Sequence, residues 1–201
     1  MIEAYSYAYN SLSKDVLIYQ KQIFDKFDLP IIQIQDNLNH GQFLTHILNT
    51  SKSKYVMFFD ADAIPLTKNF YNIVLEELEK EKCIIGMEQT GMPRYHIYAG
   101  PACLAMPVSL YSEINYPCLN QTFRSDIGEE ITWCCEERAI PVKFLKISHV
   151  ESPKWRLGYD REFGIGSTYS YKNQDVLYHQ FEIRLNTHNF IKKCINILEN
   201  K

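Results

Sequence analysis

Eleven residues, Tyr55-Val56-Met57-Phe58-Phe59-Asp60-Ala61-Asp62-Ala63-Ile64-Pro65, constrain this chain more than any other stretch. Five consecutive apolar residues run straight into two carboxylates one residue apart. A short apolar run ending at a polar break reads as a strand buried on both faces of a parallel sheet. In open α/β sheets ligands bind at the carboxyl ends of the strands, where Asp60 and Asp62 would stand. Two hard oxygen donors at that edge suit Mg²⁺ or Mn²⁺, ions held by one or two carboxylates plus substrate phosphates. A strand that merely ends in a turn also favours Asp, which bonds its own backbone there. Pro65 and a helix opening near Thr67 tip the balance toward a metal site serving a nucleotide diphosphate.

The rest of the first half repeats one pattern. Ile2 to Tyr9 alternates weakly and predicts a strand, and Asn10 or Ser11 caps a helix burying Leu12, Val16, Ile23 and Phe27. Pro30 to Gln35 predicts a second strand ending at Asp36-Asn37, and His40-Gly41 opens a helix over Gln42 to Leu48. After the strand to Phe59, Thr67 caps a helix whose inner stripe is Phe70, Val74 and Leu78, and Cys83 to Met87 is a short strand. Strand and helix alternating in this way predict an α/β, Rossmann-like, mainly parallel central sheet flanked by helices. Beyond it, Gly100 to Met106 and Pro141 to Ile147 read as strands, and Pro107 to Ile114, Ile127 to Arg138 and Ile183 to Leu198 as helices. Residues 151 to 180, aromatic and Gly-rich, read as an irregular lid or binding segment. No repeat, low-complexity tract or linker divides the chain, so one domain over 1–201 is expected.

Composition removes several classes. The 201 residues, 46% hydrophobic and 22% charged, are enough for a sizeable core and far from a disordered composition. A net charge of -3 gives no reason to expect nucleic acid or an anionic membrane as a partner. No apolar run is long enough to span a bilayer, and the start of the chain lacks a signal-like core, so a cytoplasmic location is expected. The six cysteines show no zinc spacing and read as reduced thiols; on a helix Cys134 and Cys135 would point about 100° apart.

As an ordered set, several stretches resemble the GT-A fold of nucleotide-diphospho-sugar glycosyltransferases. Asn39-His40-Gly41 opens a helix before the carboxylate strand, as the donor-side helix does in that family. Asp60-Ala61-Asp62 is similar to its DXD motif. Asp126-Ile127-Gly128-Glu129-Glu130 resembles its Gly-Glu-Asp helix start, with Glu130 in place of Asp. His149 stands where many members have a late metal-binding histidine, and His149 to Trp155 is similar to a His…Lys-Pro-Trp segment with Pro and Lys exchanged. The resemblance covers roughly residues 1–155. In style it is nearest to compact transferases of large DNA viruses, such as those decorating chlorella-virus capsids, which would place the chain in a host cytoplasm.

That resemblance implies a donor half over 1–100, and an acceptor half with a closing helix over 101–201. It implies Mn²⁺ or Mg²⁺ on Asp62, with Asp60 contacting the metal or the donor ribose and His149 completing the shell; His179 is the rival ligand. Lys154 would add positive charge to the diphosphate. Asp36, Tyr7, Asn10 and His40 would line the nucleotide, for which UDP is preferred and GDP is the alternative. Tyrosines in a strand are also ordinary packing residues. Asp126, Glu129 or Glu130 would deprotonate the acceptor hydroxyl in an inverting enzyme or orient the acceptor in a retaining one, although carboxylates at a helix start also complement its dipole. Gly100-Pro101-Ala102 would floor the acceptor side, and Trp155, Tyr159, Asp160 and Arg161 would cap the sugars. The implied partners are a nucleotide sugar and a glycan or glycoprotein, with further domains of a longer chain as a possible acceptor platform.

Three other readings compete. Haloacid-dehalogenase-like phosphatases place Asp-x-Asp-x-Thr/Val after a strand, but Ile64 fills the fifth position here. A nucleotidyltransferase would need a Gly-rich basic loop, missing between Ala4 and Leu12. A non-catalytic glycan- or sugar-nucleotide-binding module would have no need of the intact Asp60 and Asp62.

Overall fold

The computed structural model describes residues 2–91 and 96–200. In chain order the elements are β1 (Ile2–Tyr9), α1 (Lys14–Lys26), β2 (Ile32–Asp36), α2 (His40–Thr50), β3 (Tyr55–Asp60), β4 (Ala63–Pro65), α3 (Phe70–Lys80) and β5 (Ile84–Thr90). They continue with β6 (Ile97–Pro107), α4 (Val108–Glu113), α5 (Glu129–Glu137), β7 (Val142–Leu157), β8 (Arg161–Tyr171), β9 (Gln174–Gln180) and α6 (Ile183–Glu199). One nine-stranded sheet runs in the order β2-β1-β3-β6-β5-β7-β8-β9-β4.

The α/β architecture is the expected one, and its sheet is mixed. Parallel pairing is confined to β2-β1-β3 and β5-β7. The hairpin-like β5/β6 pair and the β7-β8-β9 meander are antiparallel, as is β4 against β9. Residues 151 to 180 are therefore mostly strand rather than an irregular lid.

The apolar run of β3 is explained by burial on both faces. Tyr55, Met57 and Phe59 join one core with Phe24, Phe70 and Val74 from α1 and α3. Val56 and Phe58 point the other way, into a core with Phe43, Leu44, Leu104 and Ile131. Successive side chains of a strand face opposite sides, so a strand covered on both needs no polar alternation. A third cluster, with Val16, Ile23, Ile64, Tyr178 and Phe190, seals α1 and α6 against the β4–β9 edge.

Local signals set the helix starts. Asn39 caps α2, accepting from the Gln42 amide at 2.8 Å while Gln42 accepts from the Asn39 amide at 2.9 Å. That reciprocal box fixes where His40 enters the helix. All six cysteines are unpaired, and Cys134 and Cys135 are both buried. Among the described residues no helix is long and apolar enough to cross a membrane.

Candidate metal and nucleotide site

The step from β3 to β4 takes two residues, Ala61 and Asp62, and it builds the site. Because β4 lies at the far end of the strand order from β3, the chain leaves the sheet centre at Asp60 and rejoins it beside β9. The Ala61 amide donates to the Tyr7 carbonyl at 3.1 Å, and the Gln180 amide donates to the Asp62 carbonyl at 3.0 Å. Register then sets Ala63 opposite His179. His179 Nε2 lies 3.3 Å from Asp62 Oδ1 and 3.9 Å from Asp60 Oδ2. On the other flank, His40 Nε2 lies 3.3 Å from Asp60 Oδ1.

Gln20 holds this turn from below. It is fully buried on α1, and its Nε2 donates to the carbonyls of Asp60 at 2.8 Å and Ala63 at 3.0 Å. Its Oε1 accepts from Ser6 Oγ at 2.8 Å and from Gln33 Nε2 at 3.0 Å. A lone amide in an otherwise apolar stripe (Val16, Gln20, Ile23) was a signal available in the sequence.

The three donors Asp60, Asp62 and His179 lie within 4.8 Å of one another, a spacing that fits a single cation. Two carboxylates and an imidazole suit Mn²⁺, with Mg²⁺ less well matched to the nitrogen. Among the described residues, the buried His179 Nδ1 and His40 Nε2 have no hydrogen-bond partner. Burial raises the Asp60 carboxyl above its ordinary range, while His40 opposes the shift. Asp60 retains 29% side-chain exposure into the cavity, but protein surrounds it on every other side. Burial on its own would depress His179, yet Asp62 and then Asp60 outweigh it, and the net shift is upward.

These groups open into a cavity of about 550 Å³. Of the residues singled out from sequence, Asp60, Asp62, His179, His40, Tyr7 and Asp126 line it, together with Pro101 and Ala102 of β6, the strand paired with β3. Tyr7 serves mainly as packing: its ring stacks on Phe43 at 4.8 Å and on His40 at 5.4 Å, and its hydroxyl donates to the Leu38 carbonyl. Tyr98 donates to Asp126 Oδ2 at 3.1 Å, and the Ile127 amide donates to Oδ1 at 2.8 Å. Burial, then Asp126, push the Tyr98 hydroxyl well up, so it stays a donor.

Other expected residues stand elsewhere. His149 is an exposed residue of β7 opposite Thr168, outside the carboxylate group, and His179 stands in the place expected of it. Lys154 is paired with Glu182 at 2.5 Å rather than facing the cavity. Asp36, the last residue of β2, and Asn10, just past β1, are exposed and do not line the cavity; Asn10 donates to Asn37 at 2.6 Å. Glu130 points to the far side of α5, where Arg124 holds it and depresses its carboxyl. Glu129 is buried in a supporting role, accepting the Asp126 amide at 2.7 Å and facing His96 Nδ1 at 2.7 Å. Trp155 is taken up in stacking with Phe163 and Phe181, and Arg161 with Glu88.

No family model matches the chain, and no curated protein does. Solved structures do. The catalytic domain of Drosophila β1,4-galactosyltransferase 7 complexed with xylobiose is similar at TM-score 0.51 and 13% identity, over 86% of this chain and 71% of that one. A mannosyltransferase from Pyrobaculum calidifontis in complex with GDP-Man and Mn²⁺ matches at TM-score 0.51 and 9% identity, over 71% of this chain and 54% of that one. The fold is of the GT-A type. Nucleotidyltransferases also occur among the neighbours, such as a CMP:2-keto-3-deoxy-manno-octonic acid synthetase at TM-score 0.48 and 7% identity.

Proposed function

We propose that this chain is a metal-dependent glycosyltransferase that moves a sugar from a nucleoside diphosphate, preferably UDP, to a hydroxyl of a glycan or glycoprotein. The observation that carries the reading is the convergence of Asp60, Asp62 and His179 at the floor of the cavity. Asp60, Asp62 and His179 would hold Mn²⁺ or Mg²⁺, which neutralises charge on the departing diphosphate. Residues from both halves, 1–100 and 101–201, line the cavity, in keeping with a donor wall and an acceptor wall in one domain. The likeness to transferases of large DNA viruses stays one of sequence style.

In this reading the acceptor-side carboxylate is Asp126, not Glu130. Asp126 reaches the cavity, and Tyr98 and the Ile127 amide fix its orientation. As the acceptor oxygen bonds to the anomeric carbon and the sugar–phosphate bond breaks, the hydroxyl proton passes to an Asp126 oxygen. Glu129 keeps Asp126 in place through its backbone amide. Small residues at Pro101 and Ala102 leave room for the incoming sugar.

Calorimetry with UDP, GDP and their sugars, with Mn²⁺ and with chelator, tests the donor side on wild type and Asp62→Ala. Metal-dependent binding of one nucleotide, lost in Asp62→Ala, is expected. Absence of nucleotide binding, or phosphatase activity dependent on Asp60, overturns the reading. On the acceptor side, Asp126→Asn is expected to lower turnover at least about a hundredfold, and Glu130→Gln to change it little.

A further inference from the structure

Among the described residues that line the cavity, the acidic ones are Asp60, Asp62, Asp126 and Glu182, and the one with a guanidinium is Arg184. No described carboxylate lies within ion-pair distance of Arg184, in contrast to Lys154 and Lys193 nearby. Its guanidinium instead lies over the Tyr9 ring, 5.2 Å from the centroid, at the end of β1. An arginine held on an aromatic face keeps its donors free at its edge, and its planar fork matches phosphate oxygens.

The backbone sets this residue apart from the helix behind it. Glu182, the residue before α6, has φ 54°, a left-handed conformation in a residue with a side chain. Asn186 interrupts the helix at φ −120°, so Ile183, Arg184 and Leu185 form a separate turn before the long run of α6. Leu185 is 83% exposed although it lines the cavity. Outside the cavity, Lys154 fastens this turn through Glu182.

From this arrangement we infer that Arg184 binds the diphosphate of the donor, while Lys154 only positions the turn that carries it. The inference rests on the proposed function and names the residue that would distinguish a nucleoside diphosphate from a monophosphate. Two phosphates spanning from the Asp60–Asp62–His179 group toward Arg184 would meet a cation at each end. One phosphate would reach only the first.

The test compares UDP, UMP and inorganic pyrophosphate binding in the presence of Mn²⁺, by calorimetry, for wild type, Arg184→Ala, Arg184→Lys and Lys154→Ala. Mn²⁺ binding alone, read by paramagnetic resonance, reports whether the carboxylate site is intact. Arg184→Ala is expected to weaken UDP and pyrophosphate about ten- to hundredfold, with UMP and Mn²⁺ unchanged within about twofold. Arg184→Lys should recover part of the loss, and Lys154→Ala should weaken UDP only a few-fold. Equal losses for UDP and UMP, or no loss for either, overturn the assignment while the transferase reading stands. Wild type that binds neither nucleotide nor pyrophosphate with Mn²⁺ overturns both.

Discussion

Replacing Gln20 by Leu probes how the buried face of α1 governs a cavity that Gln20 does not line. The two side chains are close in size, so the change removes hydrogen bonds with little cavity formation. Four are lost: two to the Asp60 and Ala63 carbonyls, one from Ser6 and one from Gln33. At a net of about 1 kcal/mol each, with a further penalty for the carbonyls left buried and unpaired, the expected destabilisation is about 3 to 5 kcal/mol. The same loss frees the turn that presents Asp60 and Asp62, so Mn²⁺ affinity should fall about tenfold or more, the usual effect of removing support behind metal ligands. Urea unfolding followed by tryptophan fluorescence gives the first quantity, and Mn²⁺ titration by paramagnetic resonance the second. A Gln20→Leu protein within about 1 kcal/mol of wild type, with wild-type Mn²⁺ affinity, would refute the claim that this amide braces the site.

Mn²⁺ binding should strengthen with rising pH until it passes above 6.5, the ordinary value for histidine, because His179 holds its proton more tightly and must lose it to bind. Asp62→Asn removes the principal cause of that shift and should move the midpoint of any residual binding downward in a pH titration. Glu77, bonded by Lys143 and then Lys172, has its carboxyl lowered from 4.5 to about 2. Its folded pKa is the lower one, so its stabilisation is full above 4.5 and disappears as pH falls toward about 2. With Lys172 largely in solvent, Glu77→Gln should remove no more than about 2 kcal/mol near neutrality and flatten that acid limb in urea titrations. A methyl group on Gly41 would sit 2.5 Å from the Leu119 carbonyl oxygen and 2.7 Å from the Asn120 amide. Gly41→Ala should therefore destabilise by about 1 to 3 kcal/mol, lowering the calorimetric Tm by several degrees.

The first half of the fold was legible because its elements announce themselves locally. The β3 run, the Phe70–Val74–Leu78 stripe and the Asn39 box each encode their structure within a few residues. What escaped depends on pairing at a distance. β4 is three residues long and looks like a turn until β9 is set beside it. His149 and His179 are both strand histidines, and their local sequences do not reveal which strand reaches the carboxylates. Only the register does so, placing His179 across from Ala63. The same applies to the acids near α5. Glu130 sits closest to the expected helix-start position, yet helical rotation turns it toward Arg124, while Asp126, in the loop before, reaches the cavity. Residues 151 to 180 lacked a clean alternation because much of β7 is exposed on both faces.

The separation of β3 from β4 in the strand order also fixes when the three donors can meet during synthesis. The carboxylates of Asp60 and Asp62 leave the ribosome well before the imidazole that joins them, which arrives on β9, and Arg184 follows it. A nascent chain stopped between β4 and β9 holds the two carboxylates without the imidazole that completes the group. The Asp60–Asp62–His179 group therefore closes only after β9 has emerged and paired with β4, a late event relative to the carboxylates themselves.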